Sequence, residues 1–148
     1  MSYEWSLDVF YKGIDDPNLT ADMAKLEEKT AAYKQLIATL GTEEPAITLR
    51  KVVDAKEEMA VLTRRLGGYF SLRRSANSAD SEGASYQTKI GALMASTAKE
   101  NVMFEKYAGT LENLEEILTD YLQDSSVRLL KNPHNLGAAQ SRNRGVEA

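Results

Sequence analysis

Leu19, Met23, Leu26, Thr30, Tyr33, Ile37 and Leu40 follow one another at alternating steps of four and three. An α-helix, with 3.6 residues per turn, gathers such a series into a single stripe. A stripe of that length must be covered, so the chain has to bring other helices against it. Thr30 is its one polar member. Asp15-Asp16-Pro17 marks the start: Asp16 is a cap, and Pro17 takes the first helical position, where a missing N–H costs nothing. Gly41 reads as the stop.

A second helix is predicted from about Ile47 to about Arg74, with Leu49, Val52, Val53, Met59, Leu62, Leu66, Tyr69 and Phe70 on its inner face. Ser75–Ser81 is a loop, with Asp80 or Ser81 as the next cap. A third helix carries Tyr86, Ile90, Leu93, Met94, Ala98, Val102 and Phe104 as far as Gly109-Thr110. Thr110 caps a fourth, striped by Leu111, Leu114, Ile117, Leu118, Tyr121 and Leu122. Its early Glu112, Glu115 and Glu116 suit the positive end of the helix dipole. It fades near Asn132-Pro133. Tyr3, Trp5, Leu7, Phe10 and Tyr11 make residues 1–14 an aromatic arm, whose rings need a core to lie against. The predicted fold is all-α: an antiparallel four-helix bundle over residues 1–132, with the extended aromatic arm at its N-terminus and a loose, disordered tail over 133–148.

Charge and composition limit the partners. The formal net charge is −4, which opposes generic binding to nucleic acid. No apolar run approaches the roughly 20 residues of a membrane span, and MSYEWSLDVF lacks the basic opening and apolar core of a secretory signal. Neither nucleic acid nor membrane is therefore an expected partner, and a cytoplasmic location is expected. With no cysteine, disulfides and thiolate metal sites are excluded.

The catalytic options are few. The one histidine, His134, stands in a Pro-His-Asn-Leu stretch with no orienting acid in view. His-Glu-x-x-His is absent, as are the Glu-x-x-His pairs of carboxylate-bridged metal sites. Glu27-Glu28, Glu57-Glu58 and Glu115-Glu116 are adjacent pairs whose members point about 100° apart on a helix, which suits solvated faces. No catalytic residue, metal ligand or cofactor is assigned to this chain.

The second helix holds the local concentration of cations: Arg50, Lys51, Lys56, Arg64, Arg65, Arg73 and Arg74 against Asp54, Glu57 and Glu58. Paired guanidinium groups suit carboxylates. Within it, Gly67 and Gly68 sit side by side, and each glycine inside a helix costs about 0.5–1 kcal/mol against alanine. Close approach of another helix or of a peptide backbone would account for them. Gly67, Gly68, Tyr69, Arg73 and Arg74 are accordingly the candidate residues for contact with a peptide or a second domain.

Taken in order, these landmarks resemble a known family. Trp5-x-Leu7, Tyr11 and Asp15-Asp16-Pro17 are similar to the opening of oligoendopeptidase F. Leu66-Gly67-x-Tyr69, Ser71-Leu72 and Ala76-Asn77-Ser78-x-Asp80 resemble that family's second helix and following loop. Phe104-Glu105 is similar to its aromatic-Glu pair, and Lys131-Asn132-Pro133-His134-Asn135-Leu136 to its "K-x-P-H-x-L" stretch. The order holds over roughly residues 3–136. The resemblance implies a non-catalytic helical lid domain of a cytosolic zinc metallopeptidase that cuts oligopeptides. The zinc would belong to a separate catalytic domain, and that domain or the peptide substrate would be the partner. After Leu136 the pattern departs from the family. Asn135-x-Gly137 with Arg142-Asn143-x-Gly145-x-x-Ala148 is similar to a motif of nucleotide-sugar glycosyltransferases, but the strands that precede it there have no counterpart here, and it reads as coincidence. The alternative function is a structural helical bundle that self-associates into a homo-oligomer through an uncovered apolar strip.

Overall fold

The computed structural model describes residues 6–112 and residue 117. The chain divides into two units, Met1–Thr110 and Leu111–Ala148, and the architecture is that of the first. It is all-α, with no strand among the described residues. Helices α1 (Pro17–Ala38), α2 (Pro45–Ala76) and α3 (Ser81–Ala95) pack on one another as a helical bundle, and α4 (Ala98–Gly109) packs on α1.

The start of α1 is as the sequence dictates. Asp16 accepts hydrogen bonds from the N–H groups of Asn18 and Lys12, both at 2.8 Å, with Pro17 in the first turn. Leu19, Met23, Leu26, Thr30, Tyr33 and Ile37 are buried. Thr30 is tolerated in the stripe because its hydroxyl donates to the Leu26 carbonyl one turn back, at 2.7 Å. The helix stops at Ala38, and the turn to α2 passes through Gly41 at φ 83°, which only glycine adopts at little cost.

At 32 residues, α2 is about 48 Å long and is the spine of the bundle. Its buried face is Thr48, Leu49, Val52, Met59, Leu62, Leu66, Tyr69 and Phe70. Val53, placed on that face by the sequence, is 37% exposed. It stands about 100° round the helix from Val52, so the two cannot share the seam. Along α1 and α2 the ion pairs run Asp22–Arg65 and then Lys29–Glu58, so contacts advance along one helix as they retreat along the other.

Asp80 is the cap of α3. It accepts from the Gly83 N–H at 3.1 Å, while its other oxygen takes Arg73 Nε at 2.5 Å. A Cβ at Gly83 would press on the capping carboxylate, so a larger residue there would have to displace the Asp80 side chain. The predicted third helix is in fact two. At Ser96-Thr97 the chain turns: Ser96 donates its hydroxyl to Leu93 and buried Thr97 donates to Met94, at 2.7 and 2.8 Å. The redirected α4 turns Asn101 and Phe104 inward and leaves Ala98 and Val102 exposed, contrary to the predicted stripe. Asn101 accepts from the buried Tyr33 hydroxyl at 2.8 Å. The α4 helix ends at Gly109, where the sequence places a boundary. The predicted fourth helix lies, apart from Leu111, Glu112 and Ile117, outside the described residues, as do Tyr3, Trp5, His134 and the predicted tail.

These capping contacts contribute to the acid limit of stability. The backbone N–H groups of Lys12 and Asn18 hold the Asp16 carboxyl below its usual value, and the Arg73 guanidinium and Gly83 N–H do the same for Asp80. Both contributions are complete above the unfolded carboxylate pKa of about 4 and are lost as pH falls through the depressed folded values. The urea midpoint of the wild type should therefore fall as pH is lowered from roughly 5 to roughly 2. Asp80→Asn keeps capping ability and should flatten that fall. An unchanged acid limb in the variant would contradict the assignment.

Candidate functional site

The predicted contact residues lie on the last third of α2, and the structure divides them. Tyr69 is buried at the centre of an aromatic chain. Its ring meets Tyr11 edge-on at 5.1 Å and Phe70 edge-on at 5.1 Å, and Phe70 stacks on Tyr86 at 4.7 Å with 9° between planes. Tyr11 belongs to the N-terminal arm, so this chain of rings fastens the arm, α2 and α3 together. Tyr69 is core and not a surface platform.

Arg73 is engaged by Asp80, with its second nitrogen 3.4 Å from the other carboxylate oxygen. Arg74 donates to Gln87 Oε1 at 2.9 Å. The two arginines therefore tie the end of α2 to the start of α3. Arg65, about two turns earlier, pairs with Asp22 at 3.2 Å and lies over the Tyr11 ring at 5.1 Å, while Tyr11 donates its hydroxyl to the same Asp22 at 2.7 Å. Burial pushes the Tyr11 phenol well above its ordinary pKa, and the hydrogen bond to Asp22 adds to the shift.

Among the described residues, no other helix closely approaches the paired glycines. No described atom lies within 4 Å of where a Gly67 Cβ would stand, and a Gly68 Cβ would meet only Phe10 of the arm, at an ordinary 3.9 Å. Neither glycine is demanded by a described helix. Gly67 thus leaves a strip of α2 backbone beside exposed Arg64 and half-buried Thr63 that nothing in the described bundle uses. Gly67→Ala should stabilise the fold by about 0.5–1 kcal/mol, readable as a rise in urea midpoint. A loss of stability would show that glycine is needed for packing after all.

Three features of this region carry no local signal in the sequence. Asp22 and Arg65 look like ordinary surface charges, because their pairing spans two helices. Met59 and Met94, both assigned to core stripes, also border an open groove with Lys56, Ala60, Thr63 and Arg64. Lys56 sits over the Phe104 ring at 5.2 Å. Among the described residues no group of three His, Asp or Glu side chains is placed to hold a metal ion, and no helix is long and apolar enough to cross a membrane. Comparison with protein-family models, with curated sequences and with solved structures gave no match.

Proposed function

We propose that this chain is a non-catalytic substrate-gating domain of an oligoendopeptidase F-like zinc metallopeptidase, acting in the cytoplasm. The observation that carries the reading is the ordered run of motifs from Trp5-x-Leu7 through Leu66-Gly67-x-Tyr69 to Pro133-His134. A helical wall with a strip of backbone at Gly67 that no described residue covers suits such a role. The wall admits extended peptides and turns folded chains away by shape, while bond cleavage belongs to a catalytic domain that carries its own zinc. The residues set beside the peptide or that domain are Gly67 and Gly68, with Tyr69 holding the surface from beneath and with Arg73 and Arg74, engaged by Asp80 and Gln87, bracing the end of α2 against α3.

The test is association. Mixed with an oligoendopeptidase F catalytic domain stripped of its own helical region, the chain should sediment as a one-to-one complex. Gly67→Ala should weaken that complex while leaving the fold intact. Independent sedimentation of the two proteins at every concentration would contradict the proposal.

A second reading, a self-associating bundle, is favoured by the exposed Val9, Ile47, Val61 and Val102. It requires no peptidase and predicts dimers of the chain alone.

A further inference from the structure

The bend between α3 and α4 is made without leaving the right-handed helical region. Ser96 stands at φ −65°, ψ −12° and Thr97 at φ −96°, ψ 3°. A regular helix has about −63° and −42°, so modest rotations separate the bent chain from one unbroken helix. The flanking Ala95, Ala98, Lys99 and Glu100 suit a helix, and neither glycine nor proline stands at the junction.

The bend is held by a relay of side chains that begins on α1. The buried Tyr33 hydroxyl donates to Asn101 Oδ1 at 2.8 Å. Asn101 Nδ2 donates to Thr97 Oγ1 at 3.4 Å, and Thr97 Oγ1 donates to the Met94 carbonyl at 2.8 Å. The Thr97 N–H takes the same carbonyl at 3.1 Å. An unbroken helix would send the Ala98 N–H to Met94 and the Thr97 N–H to Leu93. The relay thus ends on an acceptor that the unbroken helix needs, and the Ser96 hydroxyl takes the Leu93 carbonyl at 2.7 Å. Among the described residues, α4 is held more lightly than α3. None of its residues is fully buried, and its start has no side-chain cap. By contrast, Asp80 caps α3, Tyr86 stacks on Phe70, and Ile90 is in the core.

We propose that Ser96-Thr97 is a latched hinge. The Tyr33–Asn101–Thr97 relay holds α4 bent onto α1. Its release joins α3 and α4 into one helix from Ser81 to Gly109 and lifts α4 from Tyr33. The backbone gains what the side chains give up: the Glu100 N–H, which has no backbone acceptor among the described residues, takes the Ser96 carbonyl. This device goes beyond the gating reading and stands without it.

The experiment uses the full chain and the double variant Tyr33→Phe with Thr97→Val, which removes two hydroxyls and keeps the ring and the branched shape. Exchange of the Glu100 amide should slow at least about tenfold in the variant, because the straightened helix gives it a partner. A change that only loosened α4 would speed exchange instead. The chain has no cysteine, so Thr88→Cys and Lys106→Cys, both at exposed positions, accept spin labels cleanly in either background. In an unbroken helix these two positions lie five turns apart on one face, about 27 Å along the axis. The double variant should move the label separation to that value. A separation that stays as in the unsubstituted background, or Glu100 exchange that fails to slow, would overturn the proposal.

Discussion

Phe70→Ala should lower the free energy of unfolding by about 3–5 kcal/mol. Phe70 is fully buried where the aromatic chain passes from α2 to α3, stacked on Tyr86 and edge-on to Tyr69. Truncation removes the transfer free energy of the ring and leaves a cavity that the surrounding helices cannot close, because Leu66 and Leu62 are themselves held in the core. Small domains are stable by only about 5–15 kcal/mol, so the loss is a large part of the whole. Leu72, two residues on and 37% exposed, is the control. Leu72→Ala should change stability by no more than about 0.5 kcal/mol. Urea unfolding followed by circular dichroism reads both, and equal effects would mean that the core lies elsewhere.

Tyr11→Ala should cost about 3 kcal/mol or more, by the same cavity argument, and should release the arm. Tyr11 is the buried anchor of residues 7–16: its ring rests on Tyr69 and its hydroxyl on Asp22. Hydrogen exchange should show the effect locally, with the Phe10 and Tyr11 amides, now bonded to the Leu7 carbonyl, losing protection before those of α1. Tyr11→Phe keeps the ring and should cost only about 1 kcal/mol. It should also alter the alkaline limb. Burial holds the phenols of Tyr11 and Tyr33 above their ordinary pKa, with Asp22 adding to the first and Glu100 and Glu105 to the second. Below about pH 10 both phenols are neutral whether the chain is folded or not; above it the unfolded chain ionises first, and stability falls. Tyr11→Phe should make that fall shallower. An arm that stays protected in Tyr11→Ala would show that Tyr11 is not its anchor.

The helices are legible in the sequence wherever a stripe and a cap agree. Asp16-Pro17 and Asp80 mark two starts, and the period of α1 names every residue it buries. The break at Ser96-Thr97 is not legible, since no glycine or proline marks it. Two hydroxyls compete there for carbonyls of the preceding turn, and that competition is decided by tertiary contacts such as Tyr33 with Asn101. Val53 and Val102 mislead because an apolar residue beside a stripe looks like a member of it. At the candidate site, residue type misleads in the same way: Arg73 and Arg74 suggest a carboxylate receptor, and the carboxylate Arg73 holds is the chain's own Asp80. Tyr69 and Phe70 show their place in the core through the stripe of α2, whereas the arm's contribution through Tyr11 is a contact between distant residues with no local signature.

Gating of peptides for a separately supplied catalytic domain is tested most directly by a length profile. The measurement is the cleavage rate of unstructured peptides of graded length by an oligoendopeptidase F catalytic domain stripped of its helical region, with and without saturating chain. A gating bundle should sustain cleavage of the shortest peptides and suppress that of the longest. A length profile unchanged by the chain would contradict that role.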